Sequence, residues 1–147
     1  MDQVLEKASA YLSTRHIMCL ATVDKAGQPM AHSVDYYWNG KEILFATSPE
    51  SLKAGHFTQN ANVAVAVNDL DQRFFEIQGV QLIGHVEKVE APDEIGHFMN
   101  EFMGHRPELA AVPPDRAMKM DVFKVTPKHL WFIDNAISPG VRGEYSF

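Results

Sequence analysis

Phe45-Ala46-Thr47-Ser48-Pro49-Glu50-Ser51-Leu52-Lys53 joins an apolar strand-like run to the start of a helix. Residues Glu42 to Thr47 read as a strand. Ser48 then reads as an N-cap with Pro49 at the first helical position, and the helix runs to about Asn60. Hydroxyls at 47, 48 and 51 and the ammonium of Lys53 gather within about two helical turns. The free N–H groups of a helix N-terminus favour an anion, and these side chains add donors and positive charge suited to a phosphate monoester. A plain N-cap with polar neighbours is the alternative reading of the same residues.

Upstream, Asn39-Gly40 predicts a type I′ hairpin between Met30–Trp38 and Glu42–Thr47. Asp24-Lys25-Ala26-Gly27-Gln28-Pro29 is a turn by composition, preceded by a strand from His16 to Val23. That strand is apolar on both faces, and its lone Cys19 is expected to be a buried, inert thiol. Val4, Leu5, Ala8, Tyr11 and Leu12 mark one face of a helix over 2–14.

Downstream, Val63–Val67 reads as a buried strand and Phe75–Val89 as a long one, bent or bulged at Gly79 and Gly84. Pro92 opens a third helix with Ile95, Phe98, Met99, Phe102 and Met103 as its core stripe. The three prolines between Arg106 and Arg116 mark a loop. Two strands, Met118–Val125 and Leu130–Asp134, follow, and the tail from Ala136 has no period. The whole reads as a single domain over 1–147. It is mainly β (α+β), with six or seven mostly antiparallel strands forming a small closed barrel and flanking helices.

Composition limits the function. The formal net charge of −6 argues against nucleic acid as the main partner. No apolar run approaches the roughly 20 residues of a membrane span. One cysteine and no basic-then-apolar leader point to a reducing cytoplasm. No nucleophile elbow, Walker loop or dinucleotide fingerprint is present, and no two of the seven histidines stand three or four apart as a helical metal pair. No catalytic residue and no metal ligand is assigned.

The F-x-T-S-x-x-S-x-K segment, the helix ending in Gln59-Asn60-Ala61-Asn62-Val63, the Asp24…Gly27-x-Pro29 turn and Ile77-Gln78-Gly79-Val80-Gln81-x-x-Gly84 together resemble the pyridoxamine 5′-phosphate oxidase-like superfamily of FMN-binding split barrels. With Phe132-x-Asp134-Asn135, the set resembles most a small bacterial branch, and it spans roughly residues 3–135. The resemblance implies a six-stranded antiparallel split β-barrel and a homodimer with FMN in grooves at the dimer interface. It implies that Thr47, Ser48, Ser51 and Lys53 hold the phosphate, and that the backbone at Phe45 and Ala46 runs beside the isoalloxazine ring. Ala31–Val34, including Ser33, would form one wall. Gln78 and Gly79 would come from the partner, and Trp131 would cover the ring.

The strand before the hairpin lacks the Arg…Lys pair of the true oxidases, Leu52 stands where their second phosphate arginine follows the serine, and their C-terminal substrate clamp is unmatched. The resemblance therefore implies an FMN-dependent oxidoreductase acting on a small molecule, not a vitamin B6 oxidase. Other branches carry F420 or haem, and a non-catalytic storage, sensing or structural barrel is the alternative.

Overall fold

The computed structural model describes residues 2–116 and 119–147. Helix α1 (Gln3–Ser13) is capped by Asp2, whose carboxylate accepts from the Val4 N–H. Strands β1 (Ile17–Val23) and β2 (Pro29–Asp35) form a hairpin. Its turn is held by Asp24 Oδ1, which accepts from the N–H groups of Ala26 and Gln28, with Gly27 at φ +83°. β3 (Tyr37–Trp38) and β4 (Ile43–Thr47) form the next hairpin, followed by α2 (Leu52–Gln59) and β5 (Asn62–Asn68). Then come β6 (Gln78–Lys88), α3 (Pro92–His105), β7 (Asp121–Asp134) and β8 (Arg142–Ser146). Among the described residues no helix is long and apolar enough to cross a membrane.

All eight strands belong to one antiparallel sheet ordered β2-β1-β5-β6-β7-β4-β3, with β8 beside β7. The two ends of that order, β2 and β3, are consecutive in the chain and separated only by Tyr36. The sheet therefore has to curl until its ends meet, which makes it a split barrel. Tyr36 is fully buried, its N–H donates to the His16 carbonyl, and its hydroxyl donates to the Leu12 carbonyl at 2.7 Å.

Alternation places Met18, Leu20, Val63, Val65, Val67, Val80, Leu82, Leu130 and Phe132 inside. α1 closes one end with Ala8, Tyr11 and Leu12, and the Tyr11 hydroxyl donates to the Gln78 carbonyl. α2 sets Ala54 and Phe57 against Phe45 and Phe123. α3 covers the outer side of β4 and β7, where Phe98 packs with Leu44, Val89 and Val122.

Several expectations change. The strand over Met30–Trp38 is two strands, because the chain turns from one sheet end to the other at Tyr36. The hairpin at Asn39-Gly40 exists, but among the described residues no non-glycine residue has positive φ, so the type I′ turn is not used. Asn39 Oδ1 instead accepts from the N–H groups of Lys41 and Glu42. Phe74–Glu76 is a 3₁₀ turn, and β6 begins only at Gln78. The last two expected strands are one, β7. Pro127 is tolerated where β7's outer neighbour changes from β4 to β8 and the register with β6 shifts. Met118, the expected start of that strand, lies outside the described residues. On α3, Phe98 is buried but Met99 is exposed, so the core stripe is narrower than its spacing suggests. The aperiodic tail contains β8, whose Gly143 lies against Val4 of α1.

Gly84 sits at the register shift, where a Cβ would stand 2.3 Å from the Thr126 carbonyl oxygen. Backbone cannot yield as a flexible side chain does. Gly84→Ala is expected to destabilise the fold by about 1–3 kcal/mol, the scale of an overpacked core. Urea unfolding of the two proteins checks this; equal midpoints would show that the strand crossing is looser than the geometry states.

Candidate functional site

The β4–α2 junction differs from its expected form by three residues. Ser51, not Ser48, is the N-cap, and its Oγ accepts from the Ala54 N–H at 3.2 Å. Ser48–Ser51 is a turn, with the Ser51 N–H donating to the Ser48 carbonyl at 3.0 Å and Ser48 Oγ accepting from the Glu50 N–H. Serine followed by proline suits the first two positions of a β-turn as well as a helix start, so composition alone does not separate the two. The buried Thr47 donates its hydroxyl to Ser51 Oγ at 3.1 Å. Ser51 Oγ thus accepts from both Thr47 and Ala54, which leaves its own hydroxyl hydrogen to donate elsewhere.

Lys53 stands in the first turn of α2. Two lysines among the described residues, Lys53 and Lys124, are half-buried. Lys124 is ringed by Glu42, Glu87 and Glu94 at 3.4–3.9 Å. Lys53 enters no ion pair among the described residues.

A polar group adjoins it, of which the sequence singles out His32 within the Ala31–Val34 wall but not Thr22 or His56. Thr22, fully buried, has its hydroxyl oxygen 2.9 Å from His32 Nε2 and 2.8 Å from His56 Nδ1. His56 follows Lys53 by three residues, which puts both on one side of α2. Burial, then the charge of Lys53, then that of His56 hold His32 below its ordinary pKa. The signal was present in the sequence. Thr22 continues the inward-facing series Met18, Leu20, and a hydroxyl in that series needs a partner.

The other expected site residues fall elsewhere. Phe45 is fully buried in the barrel core, and Ala46 faces the α3 layer, so only their backbone could approach a ligand. Ser33 is exposed on the outward face of the sheet, opposite Cys19. Cys19 is itself exposed, which corrects the expectation of a buried thiol: β1 is apolar on both sides, and its core side carries Met18, Leu20 and Thr22. Trp131 lies on the same outward face, T-shaped against His129 at 4.5 Å and beneath the Arg142 guanidinium. It borders a shallow depression of about 270 Å³ floored by Cys19, Ala21, Ala64, Ala66 and Ile83. Ser33, Cys19, Ala66, Gln81 and Trp131 form one cross-strand row. Four strand spacings make that row about 19 Å long.

Gln78 and Gly79 open β6, at the end opposite its Lys88 terminus, which pairs with Phe123 of β7, the residue that Phe45 of β4 flanks on the other side. The Gln78 amide donates to Asp134 Oδ2, and Gly79 fits closely beneath the Val67 carbonyl. One chain thus brings Thr47, Ser48, Ser51 and Lys53 together, adds His32 and His56, and leaves Gln78, Gly79 and Trp131 apart from them.

The pyridoxamine 5′-phosphate oxidase family model matches residues 4–134, and the chain belongs to that family. A search of curated proteins finds no sequence match. Among solved structures, a heme-binding protein from Mycobacterium smegmatis superposes with a TM-score of 0.78 at 15% identity, covering 99% of this chain. This chain spans 59% of that protein's length. General Stress Protein 26 from Bacillus anthracis gives 0.72 at 16% identity, covering 99% of this chain and 100% of its own. HutZ, the heme storage protein of Vibrio cholerae, gives 0.66 at 15% identity over 86% of this chain and 92% of its own. At these identities the likeness is one of fold.

The depressed pKa of His32 makes stability depend on pH. The unfolded chain takes up that proton near pH 6.5, whereas the folded chain resists it. The contribution is present above pH 6.5 and is lost as pH falls through the lower folded value. His16 is depressed in the same direction, first by burial and then by His105. The thermal midpoint is expected to fall between pH 7.5 and 5.5, with a smaller fall in His32→Gln. A larger or unchanged fall in the variant would contradict this account of His32.

Proposed function

We propose that the protein binds FMN as a cytoplasmic homodimer and is an oxidoreductase acting on a small molecule. The observation that carries the reading is the pair of unspent donors at the β4–α2 junction, the Ser51 hydroxyl hydrogen and the Lys53 ammonium, in a chain of this family. The donor set fits a phosphate monoester. Ser51 donates to one oxygen, Lys53 supplies a point charge, and Thr47 fixes the orientation of Ser51. When bound, FMN supplies the electron-transfer chemistry, and the protein supplies position and electrostatics.

The outward sheet face supports the homodimer. Its small side chains, Cys19, Ala21, Ala64 and Ala66, allow a second backbone or a flat ring to approach closely. A two-fold partner seated there would carry its own Gln78, Gly79 and Trp131 toward this chain's cradle. An exposed lone thiol on that face suits a reducing compartment. Haem is the second reading, since two structural relatives carry it in their names. The histidine beside Trp131 is engaged within the chain: His129 has Ser146 Oγ at 2.7 Å from Nδ1 and Glu144 Oε2 at 3.0 Å from Nε2.

Lys53→Ala is expected to weaken FMN binding by about 2–3 kcal/mol, the scale of a charge-assisted hydrogen bond, and Ser51→Ala by about 1 kcal/mol. Riboflavin, which lacks the phosphate, should bind wild type and Lys53→Ala alike. A fluorescence titration with both ligands checks this. Equal FMN affinity for wild type and Lys53→Ala would remove the phosphate from this junction, and a Soret band in place of flavin absorption after reconstitution would favour haem.

Sedimentation at micromolar concentration is expected to give twice the chain mass. A monomer that still binds FMN at full affinity would remove the partner from the site.

A further inference from the structure

We propose that His32, Thr22 and His56 form a proton-coupled extension of the anion site at Lys53, so that binding a phosphate dianion draws one proton from solvent onto the histidine pair. The inference rests on the FMN-phosphate reading of that junction and adds its regulation by pH.

The geometry comes first. Three elements converge on one hydroxyl: Thr22 from β1, His32 from β2 and His56 from α2, at 2.9 and 2.8 Å. The charges acting on His32 are those of Lys53 and His56, both positive or able to become so. Among the described residues no carboxylate is paired with any of the three; the histidine–carboxylate pairs are those of His105 and His129. Groups that repel one another's charge, with no internal counterion, form a site for an external anion.

The Thr22 hydroxyl limits the stoichiometry. It has one hydrogen to donate and can accept from a second group. With both rings neutral, it donates to the bare nitrogen of one ring and accepts the N–H of the other. The ring that already presents N–H to Thr22 can take a proton at its far nitrogen without disturbing this chain. Protonating the second ring would turn an N–H toward the hydroxyl as well. The hydroxyl would lose its acceptor, and two like charges would face each other with ring centroids 6.3 Å apart. The hydrogen-bond pattern therefore accommodates one added proton on the pair and not two. A dianion beside Lys53 stabilises that proton, and by linkage the proton strengthens the dianion's binding.

The test uses the whole protein at pH 7. Inorganic phosphate is titrated while the ring proton signals of His32 and His56 are followed by NMR. FMN and riboflavin are then titrated calorimetrically in two buffers of different ionisation enthalpy. The expected result is a shift of the histidine signals toward imidazolium with phosphate. FMN should take up a proton, at most one per site, and riboflavin none. His32→Gln should lower the uptake, and Thr22→Val should no longer hold it to one proton per site, while riboflavin takes up no proton in either variant. The FMN affinity of His32→Gln should gain several-fold less than that of wild type between pH 8 and 6.5.

Phosphate-dependent FMN binding with unmoved histidine signals and no proton uptake would overturn this inference and leave the flavin reading standing. Histidine shifts with inorganic phosphate but no FMN binding would keep the anion site and reject the flavin. Uptake unchanged in amount in both His32→Gln and Thr22→Val would overturn the assignment of the proton to this pair.

Discussion

The structure depends on a single-residue joint. β2 and β3 are the two ends of the sheet order, and only Tyr36 separates them in the chain. A flat sheet cannot satisfy that connection, because its ends would stand several strand spacings apart. The barrel is what remains once the joint is enforced. Burying Tyr36 fully at the joint requires its phenol to find a partner, and the partner is the Leu12 carbonyl at the C-terminal end of α1. Burial therefore raises the phenol's pKa well above its ordinary value and keeps it a donor at any physiological pH. Helix α1 is held at the barrel end by this bond, by Tyr11 on Gln78 and by Trp38 Nε1 donating to Ser9.

Much of this was legible wherever one residue type has one physical use. Gly84 was expected at a bend, and the backbone of Thr126 leaves no room there for a Cβ. Asp24 and Gly27 gave a turn because a short carboxylate and a positive φ serve little else there. The family's phosphate motif placed Thr47, Ser51 and Lys53 in one turn of chain, and they are together. Legibility failed where one signal serves two structures. Ser48-Pro49 suits a turn and a helix start equally. Cys19 sits in a strand apolar on both faces, and apolar content cannot say which face meets the core. Tyr36 reads as a middle strand residue because the break is topological rather than compositional. β8 escaped notice because it is an edge strand whose residues alternate only between exposed and half-buried, with no apolar series to mark an inner face.

The outward sheet face and the α2 cradle express two demands on one set of strands. Inward positions of β1, β5 and β6 carry Leu20, Val63, Val65, Val80 and Leu82, which fill the barrel. Outward positions of β1 and β5 carry Cys19, Ala21, Ala64 and Ala66, which fill nothing, beside Gln81 and Ile83 of β6. A solvated sheet face would ordinarily show polar or charged residues at those positions. Small apolar residues instead lower the surface until another flat object can lie against it, and Trp131 with its overlying Arg142 forms a raised wall at one side.

Charge placement carries the same logic at α2. The chain is acidic overall, and where a cation is partly buried the fold generally supplies carboxylates. Lys124 has three, and Arg106 is joined to Asp35. Lys53 is the exception, half-buried and flanked by histidines rather than acids. Leaving a positive group without a counterion costs stability, since burial penalises charge and like charges repel. A molecule with a net charge of −6 has nineteen acidic residues from which a partner could be drawn. None of them forms an ion pair with Lys53 among the described residues, although Glu50 stands three residues before it in the same turn. The field of such a charge falls off with the local screening length, about 8 Å at physiological salt. On the proposed reading of this junction as a phosphate site, an ammonium with no ion-pair partner among the described residues offsets in part the arginines absent from the motif, because its charge is not spent within the chain.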